Sequence, residues 1–321
     1  MILAGDIGGT KTTLSLLSRE PDGSLNCLQE ETYASHQFPA FDDILTAFLP
    51  AAHTITSACF GVAGPVVNQR CLTTNLPWLL DAAELKIKLA TANVKLLNDL
   101  EAMALGMLSL PEHDLVELNP NAETQNGNIA VIAAGTGLGE AILYWDGNKH
   151  HPIACEGGHS DFAPRNSRQD QLLSYLRKSY PEHVSCERIL SGDGFGHLYD
   201  FLCERGYAPP CPDVPGSSIA RNAIISRLGV ADEDPLCAEV VRLFVEIYGA
   251  ETGNLALKSL ATGGVFIGGG VAPKILPAMQ DGRFIQAFKA KGRFLPLLNK
   301  ISVKLSLNPR APLIGAINYF D

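Results

Sequence analysis

Cations are in the minority on this chain. Its 321 residues carry 25 Lys and Arg against 34 Asp and Glu, a formal charge of -9 and a pI of about 5.4. A broad acidic surface repels phosphate backbones and anionic lipid, so neither nucleic acid nor membrane is expected as a partner. A small anionic ligand is not excluded, because a local nest of backbone amides can outweigh the global field. Also lacking is any C-x-x-C pair among the eight cysteines, Cys27, Cys59, Cys71, Cys155, Cys186, Cys203, Cys211 and Cys237, so neither a zinc ribbon nor a redox motif is signalled. No basic region followed by an apolar core and a cleavage site opens the chain, which reads as cytoplasmic with reduced, mostly core cysteines. The longest apolar stretch, IAVIAAGTGLGEAILYW, is interrupted by glycines and Glu140, and reads as buried strands and a turn. Walker-loop spacing and the dinucleotide fingerprint are both missing from GDIGGTKT at the start.

Hydrophobic residues make up 46% and charged residues 18%, the balance of a globular protein with well-filled cores, and the length suits two domains. Short apolar or β-branched runs, Ile2 to Ala4 and Thr12 to Leu17, flank the Gly8-Gly9 turn as a hairpin. Strand-like runs at 25–33, 55–62 and 94–97 then alternate with helical spacing at 41–49, 85–90 and 100–108, which predicts an α/β sheet with parallel strands. The pattern restarts at Ile129 to Ala134, a Gly135-Thr136-Gly137-Leu138-Gly139 turn, and a strand to Trp145. Beyond it the helical candidates are 168–179, 186–190, 195–203, 217–228 and 235–261, followed by a strand at 265–267 and a helical tail, PLIGAINYF. Two strand-turn-strand units on successive α/β domains predict a cleft, a preferred place for a small-molecule site.

Each glycine turn taken alone is readable as a plain hairpin. Two at equivalent points, each with a threonine (Thr10, Thr136), point to a clamp on a polyphosphate. Asp6 beside such a nest is repulsive unless a divalent cation intervenes, and Mg²⁺ with retained waters fits; an Asx contact within the turn is the bland alternative. The run Gly268-Gly269-Gly270 after a strand opens the backbone to a flat ligand such as adenine and ribose, or is a plain turn. Asn98-Asp99 follows a buried strand and opens a helix, where Asp99 is either an N-cap or a base for a hydroxyl attacking phosphorus. Glu156 and His159 surround two glycines, and Glu187 opens a helical pattern; all three suit sugar hydroxyls, and all three suit ordinary surface roles. The pair His150-His151 before Pro152 reads as a surface loop.

The ordered set D-I-G-G-T-K, G-P-V, N-L-P-W, L-N-D, G-T-G-L-G, E-G-G-H, E-R-I-L-S-G and G-G-G-V-A-P resembles the bacterial glucokinases, in the branch without the zinc-binding cysteine cluster. The resemblance spans nearly the whole chain. It implies a two-domain actin-like ATPase (ribonuclease H-like) α/β fold, with a small α/β domain at 1–98 plus 303–321 and a larger α+β domain at 99–302. It further implies ATP-dependent phosphorylation of the glucose 6-hydroxyl. Asp99 would be the general base, and Asn75, Asn98, Glu156, His159 and Glu187 would bind the other hydroxyls. Gly8, Gly9, Thr10, Gly135, Thr136, Gly137 and Gly139 would hold phosphates, Gly268, Gly269 and Gly270 would face the adenosine, and Asp6 would position Mg²⁺ through water. A homodimer is implied as well. Rival readings are a kinase for mannose or N-acetylmannosamine, a sugar-sensing transcription regulator, which lacks its basic helix-turn-helix here, and an actin- or chaperone-like ATPase, which leaves Asn98, Asp99, Glu156, His159 and Glu187 without a role.

Overall fold

The strand Ile2–Ile7 (β1) is buried at every position except Asp6, and everything in the N-terminal unit is built on it. The structure, a computed structural model, describes residues 1–321 apart from 52–53, 124, 217–219 and 321. It comprises two units, Met1–Pro111 with Asn308–Asp321, and Glu112–Leu307.

In the first unit β1 is followed by β2 (Lys11–Arg19), β3 (Leu25–Ala34) and β4 (Ser57–Val62). A small separate hairpin of β5 (Arg70–Leu72) and β6 (Leu79–Asp81) precedes β7 (Val94–Asn98). The sheet order is β3-β2-β1-β4-β7, with an antiparallel meander on one side and β1, β4 and β7 parallel on the other. The helix Phe41–Phe48 buries Phe41, Ile44, Leu45 and Phe48, the single stripe its spacing predicts, and packs Phe41 edge-on against Phe60 of β4. The helix at 82–88 starts before the predicted position because Asp81 caps it, accepting from the Ala83 amide at 2.8 Å.

The opposite face of this sheet is covered by the helices Asp99–Met107 and Ala311–Ile317, which bury Ala102, Leu313 and Ala316 against Ile2, Ala4 and Leu97. Their backbones touch at two glycines. A Cβ on Gly106 would lie 1.8 Å from the Ala311 carbonyl oxygen, and one on Gly315 would lie 1.8 Å from that of Ala102. That close packing ties the helix at 99–107 to the first unit, whereas the expected boundary at 98/99 assigned it to the second.

The second unit carries β8 (Leu115–Glu117), β9 (Ile129–Ala134), β10 (Leu138–Trp145), β11 (His150–Cys155), β12 (Gly264–Gly268) and β13 (Val303–Ser306), in the order β11-β10-β9-β12-β13-β8. The parallel strands are β9, β12 and β13; β10 and β11 extend the sheet as an antiparallel meander from β9, and β8 closes the other edge antiparallel to β13. Strand β13 pairs with β12, so residues 303–306 belong here and not, as expected, to the first unit. The helix Pro235–Ser259 runs through the core of the unit; Asp234 caps it, Pro opens it, and Phe244 stacks on Phe195 at 4.4 Å.

The His150-His151 pair is not in a loop. It lies on the edge strand β11, where His150 bonds the Gly127 carbonyl at 3.0 Å and packs at a tilt against Trp145. The helix expected over 186–190 is a single 3-10 turn, Cys186–Arg188. The helix expected from 217 begins at Arg221, and positions 217–219 lie outside the described residues.

Candidate active site

Three functional elements of the first unit occupy one edge of its sheet, the carboxyl ends of β1, β4 and β7. That edge is where open α/β sheets bind ligands, because chain direction aims the loops outward there. Register places Ile7, Val62 and Asn98 side by side. At the usual strand spacing, the ends of β1 and β7 lie about 10 Å apart.

At the end of β1 the turn closes with Gly8 N–H donating to the Lys11 carbonyl at 3.0 Å. Ser35 holds the turn from behind: its Oγ donates to the Gly8 carbonyl at 2.7 Å and its amide to the Thr10 carbonyl at 3.0 Å, while Thr12 Oγ1 meets the same hydroxyl. With those carbonyls engaged, the Gly9 and Thr10 amides donate to no backbone carbonyl among the described residues. Gly9 also packs against Asn75, whose Cβ would lie 2.8 Å from a Cβ on Gly9. Asn75 is exposed in the same β5–β6 loop as Trp78, which is buried and donates Nε1–H to the Phe38 carbonyl. Asp6 is half-buried, and loss of water around it raises its carboxyl above the ordinary range, with Lys11 opposing. A carboxylate at this position can hold a divalent cation through the ion's waters, while the amides beside it suit the anion that the cation accompanies.

At the end of β7 the ambiguity over the cap is resolved. Asn98, not Asp99, is the N-cap; its Oδ1 accepts from the Leu100 amide at 2.9 Å and Glu101 returns a bond to the Asn98 amide at 2.9 Å. Asn98 Nδ2 donates to the Gly64 carbonyl at 3.0 Å, which ties β7 to the end of β4. Asp99 is the first helical residue, half-buried, with Oδ1 3.0 Å from the Leu100 amide. The cap at Asn98 leaves Asp99 beside the same edge as the glycine turn.

The second unit repeats the edge. The turn between β9 and β10 closes with Gly135 N–H donating to the Gly137 carbonyl, and the Gly135 carbonyl accepts from Gly192, both at 2.8 Å. Gly135 faces open space, and Thr136 is exposed. Gly137 lies against Glu187, whose Oε2 would be 2.4 Å from a Cβ there and would have to move. Gly139 continues into β10. On the parallel neighbour β12, Gly268 pairs with Ala133, and Gly269 turns the chain at φ +79°, with no room for a Cβ beside the Ala134 carbonyl. Gly270 is exposed and faces open space.

Glu156 and His159 frame a 3-10 turn, Gly157–His159, and both are exposed. Glu187 is half-buried beneath it; its Oε2 accepts from the Leu138 amide at 3.0 Å and lies 3.9 Å from His159 Nε2. The structure thus gathers Glu187, His159 and the Gly135–Gly139 turn within one unit, and Asp6, Gly8–Thr10, Asn75, Asn98 and Asp99 within the other. Sequence reasoning missed Ser35, whose local signal is only a serine after a strand. It also missed Glu140, the single charge in the apolar run of β9 and β10.

The order of elements and the doubled strand-turn-strand edge are those of the two-domain actin-like α/β fold. Among solved structures of this fold, a glucokinase from an Antarctic psychrotroph is similar with a TM-score of 0.86 at 30% identity, 98% of this chain and 97% of that chain being covered. A glucokinase of the ROK family from Streptomyces griseus, solved with glucose and AMPPNP, is similar with a TM-score of 0.64 at 21% identity, covering 99% and 98%. Among sequences, the glucokinase of Trichormus variabilis is 40% identical, with 98% of this chain and 97% of that protein covered. A profile of the glucokinase family matches residues 3–321, and the chain belongs to that family.

Proposed function

We propose that Asp99 is the general base of an ATP-dependent glucose kinase, taking the proton of the sugar 6-hydroxyl as that oxygen approaches the γ-phosphorus. The family membership carries the overall reaction, glucose and ATP giving glucose 6-phosphate and ADP. The observation that supports the role of Asp99 is its place at the same sheet edge as the Gly8–Thr10 turn, about two strand spacings away. Phosphoryl transfer leaves a protein little covalent chemistry to perform, so positioning and charge neutralisation dominate. The Gly9 and Thr10 amides, and the Thr136 and Gly137 amides of the Gly135–Gly139 turn, offer N–H groups to phosphate oxygens and stabilise the charge that grows on them. Asn75, Asn98, Glu156, His159 and Glu187 orient the sugar through its other hydroxyls, and Gly268–Gly270 border the adenosine.

Asp6 would hold Mg²⁺ through water, and the ion would neutralise phosphate charge. The Asn98 cap keeps Asp99 fixed while the proton moves to its carboxylate. Homodimerisation, to be read by light scattering, and a cytoplasmic location belong to the same reading, the latter supported by eight free cysteines. Coupled ADP-release assays on glucose, mannose and N-acetylmannosamine test the substrate, with the highest kcat/KM expected for glucose. For the base, Asp99→Asn retains glucose binding by calorimetry and loses about two to four orders of magnitude in kcat. Near-wild-type turnover in that variant overturns the assignment.

A further inference from the structure

Behind the Glu156–His159 turn the second unit buries a carboxyl group that the reaction does not use. Glu140 lies on β10 with 2% of its surface exposed, and its Oε1 has no hydrogen-bond partner among the described residues. Its other oxygen presses on the turn itself, 2.0 Å from where a Cβ of Gly157 would be. A leucine and this glutamate of β10 form the floor under the glycine pair, since a Cβ on Gly158 would meet the Leu138 carbonyl at 1.9 Å.

The charges around Glu140 come from several elements. From the helix Pro235–Ser259, Glu251 faces it with 5% exposure, along with Lys258 and the Tyr248 phenol. From β11 comes Cys155, whose Sγ donates to the Glu140 carbonyl, with Glu156 beyond it; Cys186 comes from the 3-10 turn at 186–188. Lys258, the cation acting on Glu140 among the described residues, is already engaged: it pairs with Glu251 at 3.5 Å, and Glu251 also accepts from Asn254 at 2.8 Å. Lys291 is directed away, donating to Asn254 and to the Ala250 carbonyl. Of two neighbouring buried carboxyls, Glu251 therefore has the partners an anion needs and Glu140 does not. Burial first, then the Glu251 charge, raise the Glu140 carboxyl to about 7.

We infer that Glu140 is a positioning residue for the sugar-binding turn: as the neutral acid it supports Gly157 in place, and as the carboxylate it displaces the turn and weakens sugar binding. An ionised Glu140 must reach water or Lys258. Cys155, Cys186 and Tyr248 wall it in, whereas Gly157 begins a single 3-10 turn whose outer residues are exposed. That turn is the wall that yields. The effect falls on glucose affinity and not on the phosphoryl step, because Asp99 is in the other unit. This inference rests on the assignment of Glu156 and His159 to the sugar.

The test is the pH dependence of glucose KM and kcat at saturating ATP from about pH 6 to about pH 8.5, with calorimetric glucose binding at both ends. Wild-type KM should rise about tenfold across that range while kcat changes less than about twofold. Glu140→Gln, which mimics the neutral acid, should hold KM flat at the low-pH value; Glu140→Leu serves if the glutamine variant fails to fold. A flat wild-type KM, or the same rise in the variant, overturns the inference. Glu156→Ala separates the two readings. If it loses glucose affinity at every pH while Glu140→Gln keeps the rise, only the Glu140 inference falls; if its KM is unchanged, the sugar assignment of the turn falls and takes the inference with it.

Discussion

Glu187 Oε2 accepts a hydrogen bond from the Leu138 amide at 3.0 Å and lies 3.9 Å from His159 Nε2. One carboxylate thus braces the backbone of the Gly135–Gly139 turn and touches the Glu156–His159 turn. The parts assigned to phosphate and to sugar share a support, and that linkage has a kinetic consequence.

Glu187→Ala is expected to raise the KM for glucose and the KM for ATP together, each by about tenfold, since a buried amide loses its charged acceptor. Glu156→Ala should raise the glucose value alone. Steady-state kinetics with each substrate varied distinguishes them; an unchanged ATP value in the Glu187 variant would show that the Leu138 bond does not hold the turn.

Gly315→Ala sets two effects against each other. Alanine is the better helix former by about 1 kcal/mol. The added Cβ, however, falls 1.8 Å from the Ala102 carbonyl oxygen, and the helices at 99–107 and 311–317 must separate. Overpacking of that kind costs about 3 kcal/mol, so the clash wins, and thermal unfolding should occur about 5–10 °C lower. Gly106→Ala should behave alike.

Gly9→Ala tests the packing of the first turn on Asn75. The added Cβ would lie 2.8 Å from Asn75 Cβ, and Asn75 is exposed and able to move. The glucose KM should rise about threefold to tenfold, with Tm lower by no more than about 2 °C. A large fall in Tm with unaltered KM would make the contact purely structural.

Glu140 also sets a pH dependence of stability. Its carboxyl is raised in the folded chain from 4.5 to about 7, so between those values the folded state holds a proton that the unfolded state has released. Stability is therefore full below about pH 4.5 and is lost as pH rises toward 7, by roughly 3 kcal/mol. Denaturant unfolding of Glu140→Gln should lack that decline and should exceed wild type at about pH 8. Parallel curves for the two proteins would sink the assignment.

Local pattern located most elements, because β1, β4, β7, β9 and β12 are short, mostly apolar runs and the helix Phe41–Phe48 shows one clean stripe. It failed where the signal was short or misread: β8 has three residues and β13 four, and the histidines of β11 resemble a loop until Trp145 and Gly127 supply partners. The candidate site was legible as residue types, since glycine turns after strands, Asn98-Asp99 and the Glu156–His159 run are local patterns with local chemistry.

Which member of each pattern does what depended on tertiary contacts. The sequence by itself determined the α/β class, the two glycine turns and the acids and amides beside them, because strand period, turn chemistry and charge are properties of neighbours along the chain. Tertiary structure alone decided that Asn98 and not Asp99 is the cap, that Glu187 supports Leu138, that the helix at 99–107 belongs with the C-terminal helix, and that Glu140 is buried with its Oε1 unpartnered among the described residues. Each of those depends on a hydrogen bond, a glycine contact or a desolvation shared between segments far apart in the chain, and no local pattern encodes such distances.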